Sequence, residues 1–210
     1  QFLRDFLKAI NVNTIDCLAC HSAGLHPTLL ICSEQQQFNI KSLALFCPQP
    51  LWLKPHYFAM NKPFALLSQN SFGIKLFQIL KPHLIANKFG YSMVYKDLNE
   101  FLLAANILSN NEENKLNASL KWLKESKTPT IFVYGQRDSL IPKQTFDRLL
   151  NDLGANQNSF KYYDSKGSLE KHQANEDWIK VLVFRSGGHF AYLNFSEIVN
   201  EEVSNVIQKL

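Results

Sequence analysis

A chain of 210 residues, 46% hydrophobic and 19% charged, is long enough for one domain with a sizeable core. Its net charge of +4 comes from 22 basic and 18 acidic residues scattered without a basic block, which gives no basis for a nucleic-acid or membrane-surface partner. No apolar run reaches the roughly 18 residues of a membrane span.

Phe2, Leu3, Phe6, Leu7 and Ile10 share one face of a predicted helix that Asn11 and Asn13 end. A short β-prone run from Thr14 then leads into Cys20-His21-Ser22-Ala23-Gly24, a small-x-Ser-x-small pattern. Leu25 to about Glu34 reads as a helix with Pro27 in its first turn, where a missing N–H costs nothing. Strand, sharp turn with a central Ser, then helix is the layout of a nucleophile elbow. The spacing has a steric cause: the turn strains the backbone at the Ser, so the residues two before and two after nearly touch and must be small. Gly24 fits, and Cys20 stands where the G-x-S-x-G pattern has Gly. Cys17 and Cys20 form a C-x-x-C, but in a strand positions three apart face opposite sides, so they read as small buried hydrophobes.

Phe38 to Cys47 is the next predicted strand, stopped by Pro48 and Pro50. Helix, strand, helix, strand with short links implies a parallel sheet. From about Gln49 to Ser126 the pattern changes to prolines and then helices over Ser71 to Leu80, Asp97 to Leu108 and Leu116 to Leu123. This reads as a helical insertion between sheet strands. Its aromatics Trp52, Tyr57, Phe58, Phe64, Phe72 and Phe77 fit either a core or the lining of an apolar substrate pocket.

Thr128 to Tyr134 reads as a buried strand opening into Gly135-Gln136-Arg137-Asp138-Ser139-Leu140-Ile141-Pro142, with Pro142 starting a helix through Leu150. Gly154 to Asp177 is polar and reads as a surface excursion. Ile179 to Phe184 is another strand, running into Arg185-Ser186-Gly187-Gly188-His189-Phe190, and a last helix covers Ser196 to Leu210 with Ser196 as its N-cap.

Ser22, Asp138 and His189 each follow a strand, and in an open parallel sheet active residues collect past the carboxyl ends of strands. Each residue type has a task. A Ser hydroxyl needs a base to take its proton, imidazole can accept and return one near neutral pH, and a carboxylate fixes the imidazole tautomer. The Gly187-Gly188 pair lets the loop turn His189 inward. His26, His56, His83 and His172 show no metal-ligand spacing, so neither a metal nor another cofactor is expected.

On the motifs C-H-S-A-G, G-Q-R-D-S-L-I-P and G-G-H-F, in that order, the chain resembles the C-terminal two-thirds of an α/β-hydrolase-fold protein, from a little-characterised subgroup. The resemblance implies a partial α/β-hydrolase fold, a parallel sheet flanked by helices. Residues 1–48 and 127–210 would form the core and residues 49–126 a helical cap. It implies Ser22 as nucleophile, Asp138 as acid, His189 as base and the Ala23 N–H as one oxyanion donor. Cys20 and Gly24 would be the elbow's small residues. The interval from Asp138 to His189 is long for the family, which leaves Asp164 as a second candidate for the acid. The family's strands before the elbow, about four, find no counterpart ahead of Gln1, so a fragment is expected. With one oxyanion donor missing, roughly 3–4 kcal/mol of transition-state stabilisation would go, and these residues alone are expected to fold poorly and to be nearly inactive. The implied activity is hydrolysis of an ester, thioester or amide of a small apolar substrate through an acyl-enzyme. A Ser at the elbow argues against epoxide or haloalkane chemistry, which would need an Asp. The alternatives are a non-catalytic ligand- or partner-binding relative and a truncated chain without function. The oligomeric state stays open.

Overall fold

The computed structural model describes residues 2–33, 37–50, 113–172 and 177–210, together with helical positions at 66, 71–73 and 75. The chain divides into two units, Gln1–Leu51 with Glu113–Leu210, and Trp52–Glu112; nearly all described residues belong to the first. The expected helix Asp97 to Leu108 and the aromatics Trp52, Tyr57, Phe58, Phe64 and Phe77 lie outside the described residues. Of the other expectations there, positions 71–73 and 75 are helical, and Phe72 is 76% exposed, which does not suit a core residue.

In the first unit the helix α1 (Phe2–Ala9) leads to two short strands, β1 (Thr14–Ile15) and β2 (Leu18–His21). A single 3-10 turn, Ser22–Gly24, joins β2 to α2 (Leu25–Ser33); β3 (Asn39–Ile40) and β4 (Leu43–Phe46) follow. The second half runs α3 (Glu113–Ser126), β5 (Thr130–Gly135), α4 (Lys143–Leu153), β6 (Phe160–Tyr163), β7 (Leu169–His172), β8 (Ile179–Phe184), α5 (Ala191–Asn194) and α6 (Ser196–Ile207). The expected single strands 14–20 and 38–47 are each broken at the same level. β1 pairs β3 in the register that β2 keeps with β4, and between them Ser42 Oγ donates to the Asp16 carbonyl, 2.6 Å away.

The main sheet has the order β2-β4-β5-β8-β6-β7, parallel throughout except for β7 against β6. β5 is central and buried at all its positions, as expected of a parallel strand covered on both faces. Alternation decides which layer each residue serves. Ile131 and Val133 pack with Leu182, Phe184, Ala191 and Val199 on one face. Phe132 and Tyr134 meet Phe146 of α4 on the other. Helix α4 buries Phe146, Leu149, Leu150 and Leu153, one stripe at helical spacing, and ends at Gly154 with φ 84°, the left-handed stop that glycine adopts without strain. Helix α3, which the sequence reading puts at the end of the insertion, belongs to the first unit; it packs on α2 and buries Leu116, Leu120 and Leu123.

The segment 154–177, expected as a surface excursion, instead contributes β6 and β7. Its strands are only four residues long and carry Lys161, Glu170 and Lys171, so the apolar alternation of Phe160, Tyr162 and Tyr163 is diluted. Helix α6 also differs in detail: Phe195, not Ser196, is its N-cap.

Candidate active site

The turn after β2 carries Ser22 at φ 54°, in the left-handed region that a residue with a Cβ rarely adopts. The neighbours explain why it is reached. A Cβ placed on Gly24 would lie 3.3 Å from the Cys20 Cβ, so positions 20 and 24 meet across the turn and only small groups fit. Burial pushes the Cys20 thiol up to about 12, so it sits there as a neutral apolar group. The turn is tied from outside as well: Gln49 N–H donates to the Ser22 carbonyl at 3.0 Å, and the His26 ring bonds the Gln49 carbonyl at 2.9 Å. The Ala23 N–H follows Ser22 at the start of a helical turn, where N–H groups lack intrahelical partners.

Asp138 and His189 come together because two loop backbones touch. A Cβ on Gly135, at the end of β5, would be 2.0 Å from the Gly187 carbonyl oxygen, and one on Gly187 would be 2.8 Å from the Ala191 Cβ. Only glycine permits this approach. The contact is locked by Arg137 N–H donating to Gly187 O at 2.9 Å and Gln136 N–H donating to Phe184 O at 3.0 Å. Gly188 has open space on its Cβ side, so of the glycine pair Gly187 carries the steric requirement.

The Asp138 carboxylate then has defined partners. Oδ1 accepts from the backbone N–H groups of Leu140 and Ile141 at 2.8 and 2.9 Å, and Oδ2 is 2.8 Å from His189 Nδ1. With Asp138 1% and His189 9% exposed at their side chains, the pair is shielded from water. Asp164, the other candidate for the acid, is elsewhere. Its carboxylate accepts from the N–H groups of Lys166 and Ser168 in the turn between β6 and β7, and those backbone bonds hold its pKa below the usual value.

Ser22 is not joined to this pair by a hydrogen bond. Its hydroxyl donates to Gln49 Oε1 at 3.4 Å, a long and weak contact, and no bond links it to the His189 ring. Catalytic hydrogen bonds are often long or unmade without substrate.

Three residues enter the site that the motifs do not single out as part of it. The His21 ring is 4.6 Å from that of His189, beside Phe190 and Tyr192, and its Nε2 bonds the His189 carbonyl at 3.0 Å. Burial lowers its pKa, which favours the neutral ring. Gln49 receives the Ser22 hydroxyl. Cys47, directly after β4 and at φ 42°, is fully buried with its thiol 3.8 Å from the Gly188 carbonyl. The ligand atoms of Cys47, Asp138 and His189 all lie within 4.8 Å of one another. No run of residues marks Cys47; it reaches the site because β4 lies between the Ser22 strand and the Asp138 strand.

Among the described residues no helix is long and apolar enough to cross a membrane. No family model matches the chain, and no curated protein matches it in sequence. Its backbone is nevertheless similar to solved structures. A thermophilic esterase from Thermogutta terrifontis aligns over 99% of this chain and 70% of its own, at 13% identity and a TM-score of 0.60. An α/β-hydrolase enzyme from a Medee basin deep-sea metagenome library aligns over 99% and 70%, at 12% identity and a TM-score of 0.57. The haloalkane dehalogenase DatA from Agrobacterium tumefaciens aligns over 99% and 71%, at 14% identity and a TM-score of 0.56.

Proposed function

We propose, on the premise that this chain has the α/β-hydrolase fold, that it belongs to a serine hydrolase acting on an ester, thioester or amide of a small apolar molecule. The observation that carries the reading is the 2.8 Å bond from His189 Nδ1 to a buried carboxylate, on the same sheet rim as a Ser held at φ 54°. The Ser22 hydroxyl turns from Gln49 to His189 Nε2 and attacks the carbonyl carbon. His189 takes the proton, and Asp138 stabilises the imidazolium while keeping the ring's orientation. The Ala23 N–H supports the oxyanion. His189 returns the proton to the leaving group, and water then releases the acyl group from Ser22 by the same steps in reverse. The turn around Ser22 acts as a nucleophile elbow. A hydroxyl at this position is also what separates the reading from haloalkane chemistry, despite the fold shared with a dehalogenase.

The test is hydrolysis of short-chain aryl esters and thioesters by the full-length protein, with Ser22→Ala as the control. Turnover that Ser22→Ala removes supports the reading; turnover that survives it points to another nucleophile. A second reading, a non-catalytic relative that binds a ligand at the same rim, draws on the Ser22 bond to Gln49 in place of His189. A folded protein with no turnover of any such ester would favour it.

A further inference from the structure

We propose that Cys47, Asp138 and His189 form a binding site for one soft divalent cation, Zn²⁺ or Cd²⁺, whose occupation switches off the rim chemistry. The cation site stands on geometry alone, and only the switching-off rests on the hydrolase reading.

The donor set is one sulfur, one carboxylate oxygen and one imidazole nitrogen, with all three atoms within 4.8 Å of one another. Borderline and soft cations select this mixture over the hard Mg²⁺ and Ca²⁺. Around Zn²⁺, ligand distances of about 2.0–2.3 Å put tetrahedral neighbours about 3.3–3.7 Å apart. The Nδ1–Oδ2 pair at 2.8 Å must therefore open by about half an ångström, and the sulfur must close by up to about one. These are side-chain movements, because the backbones are tied, Cys47 to β5 and the loops of Asp138 and His189 to each other through Arg137 N–H and Gly187 O. Cys47 N–H donates to Val133 O at 2.7 Å, and the Asp138 carboxylate is oriented by the N–H groups of Leu140 and Ile141. Carboxylate ligands in metal sites are commonly held by such outer bonds. The residues follow β4, β5 and β8, three adjacent strands, so the strand order gathers them at one rim.

The consequence for chemistry follows from the ring. A cation on Nδ1 takes the place of the proton between His189 and Asp138, and it displaces the Cys47 thiol proton. The thiol proton passes to solvent, the single proton of the ring moves through solvent from Nδ1 to Nε2, and no electrons move. The neutral imidazole then carries its only proton on Nε2, which can no longer accept the proton of Ser22. Asp138 is at the same time drawn off its role beside the ring. Without the cation, Cys47 is a neutral thiol packed under the Gly188 carbonyl.

The experiment is a Cd²⁺ titration of the full-length protein, read by the ultraviolet thiolate-to-cadmium charge-transfer band and by calorimetry. One cation per chain is expected, with the band. Cys47→Ser, close in size but without a soft donor, should remove the band and weaken binding by more than the 10–100-fold that loss of an outer-shell partner costs. Cys20→Ala should keep both. Fluorophosphonate labelling of Ser22 should slow at least tenfold when Cd²⁺ is present and recover with a chelator. Absence of the band in the folded wild-type protein, or a band unchanged in Cys47→Ser, overturns the site. A band in a protein that never labels keeps the site and overturns only the hydrolytic reading; labelling without a band does the reverse.

Discussion

Among the described residues, two buried carboxylates beside the sheet are held by opposite means. Glu202 on α6 faces Lys161 of β6, in a close ion pair, and Lys180 of β8 at 2.7 Å. Burial alone would raise its pKa, but the bonds to the two lysines outweigh that and hold it low. Asp138 has no lysine or arginine partner among the described residues; two backbone N–H groups and one imidazole meet it. A carboxylate already neutralised by cations has little left to offer a charge that appears later, and serves to join β6, β8 and α6. A carboxylate matched by neutral donors can respond when its neighbouring ring gains a proton. The difference separates a polar cluster that joins helix to sheet from one that the proposed hydrolysis would use.

The largest test of that contrast exchanges each carboxylate for its amide. Asp138→Asn should lower the turnover number about 10⁴-fold while moving the melting temperature little. Glu202→Gln should leave activity per folded molecule unchanged and cost about 2–4 kcal/mol in urea unfolding, below a fully buried pair because Lys180 reaches solvent. Equal stability losses in the two variants would erase the distinction.

Gly135→Ala sharpens the comparison from the backbone side. The added methyl meets the Gly187 carbonyl and drives apart the loops that carry Asp138 and His189. A misplacement of about 1 Å should cost about 10² in activity, together with about 1–3 kcal/mol of stability. A variant with wild-type turnover would mean that the glycine contact does not set the pair.

Acid response separates the two sites again. Because the folded pKa of Glu202 lies below its ordinary value of 4.5, its stabilising contribution is complete above that value and is lost as pH falls through the folded one. Unfolding free energies measured between about pH 6 and 3 should fall less steeply in Glu202→Gln than in wild type. Parallel curves would remove Glu202 from the acid limb. The smallest effect belongs to Gly24→Ala, where the new methyl needs the Cys20 Cβ to give by a few tenths of an ångström. About 1 kcal/mol is expected, and no cost at all would contradict the tight turn.

The positions past the strands were legible because local chemistry marks them. Small residues flank Ser22, an apolar run precedes Gly135, and a glycine pair precedes His189. The strands β6 and β7 were not, since four residues interrupted by lysines and a glutamate carry too little alternation against a polar background. Cys47 and His21 as site residues were hidden for another reason: both owe their place to strand order, β2 beside β4 beside β5, which no run of residues spells out. The Ser22 bond to Gln49 is a side-chain rotamer matter and has no sequence signal at all.

The most direct measurement is the covalent adduct itself. The full-length protein is treated with a fluorophosphonate and digested, and the modified peptide is mapped by mass spectrometry. The account predicts one phosphonyl group on Ser22, formed much more slowly in His189→Ala and absent in Ser22→Ala. An adduct on any other residue, or none on a folded and soluble protein, would contradict it.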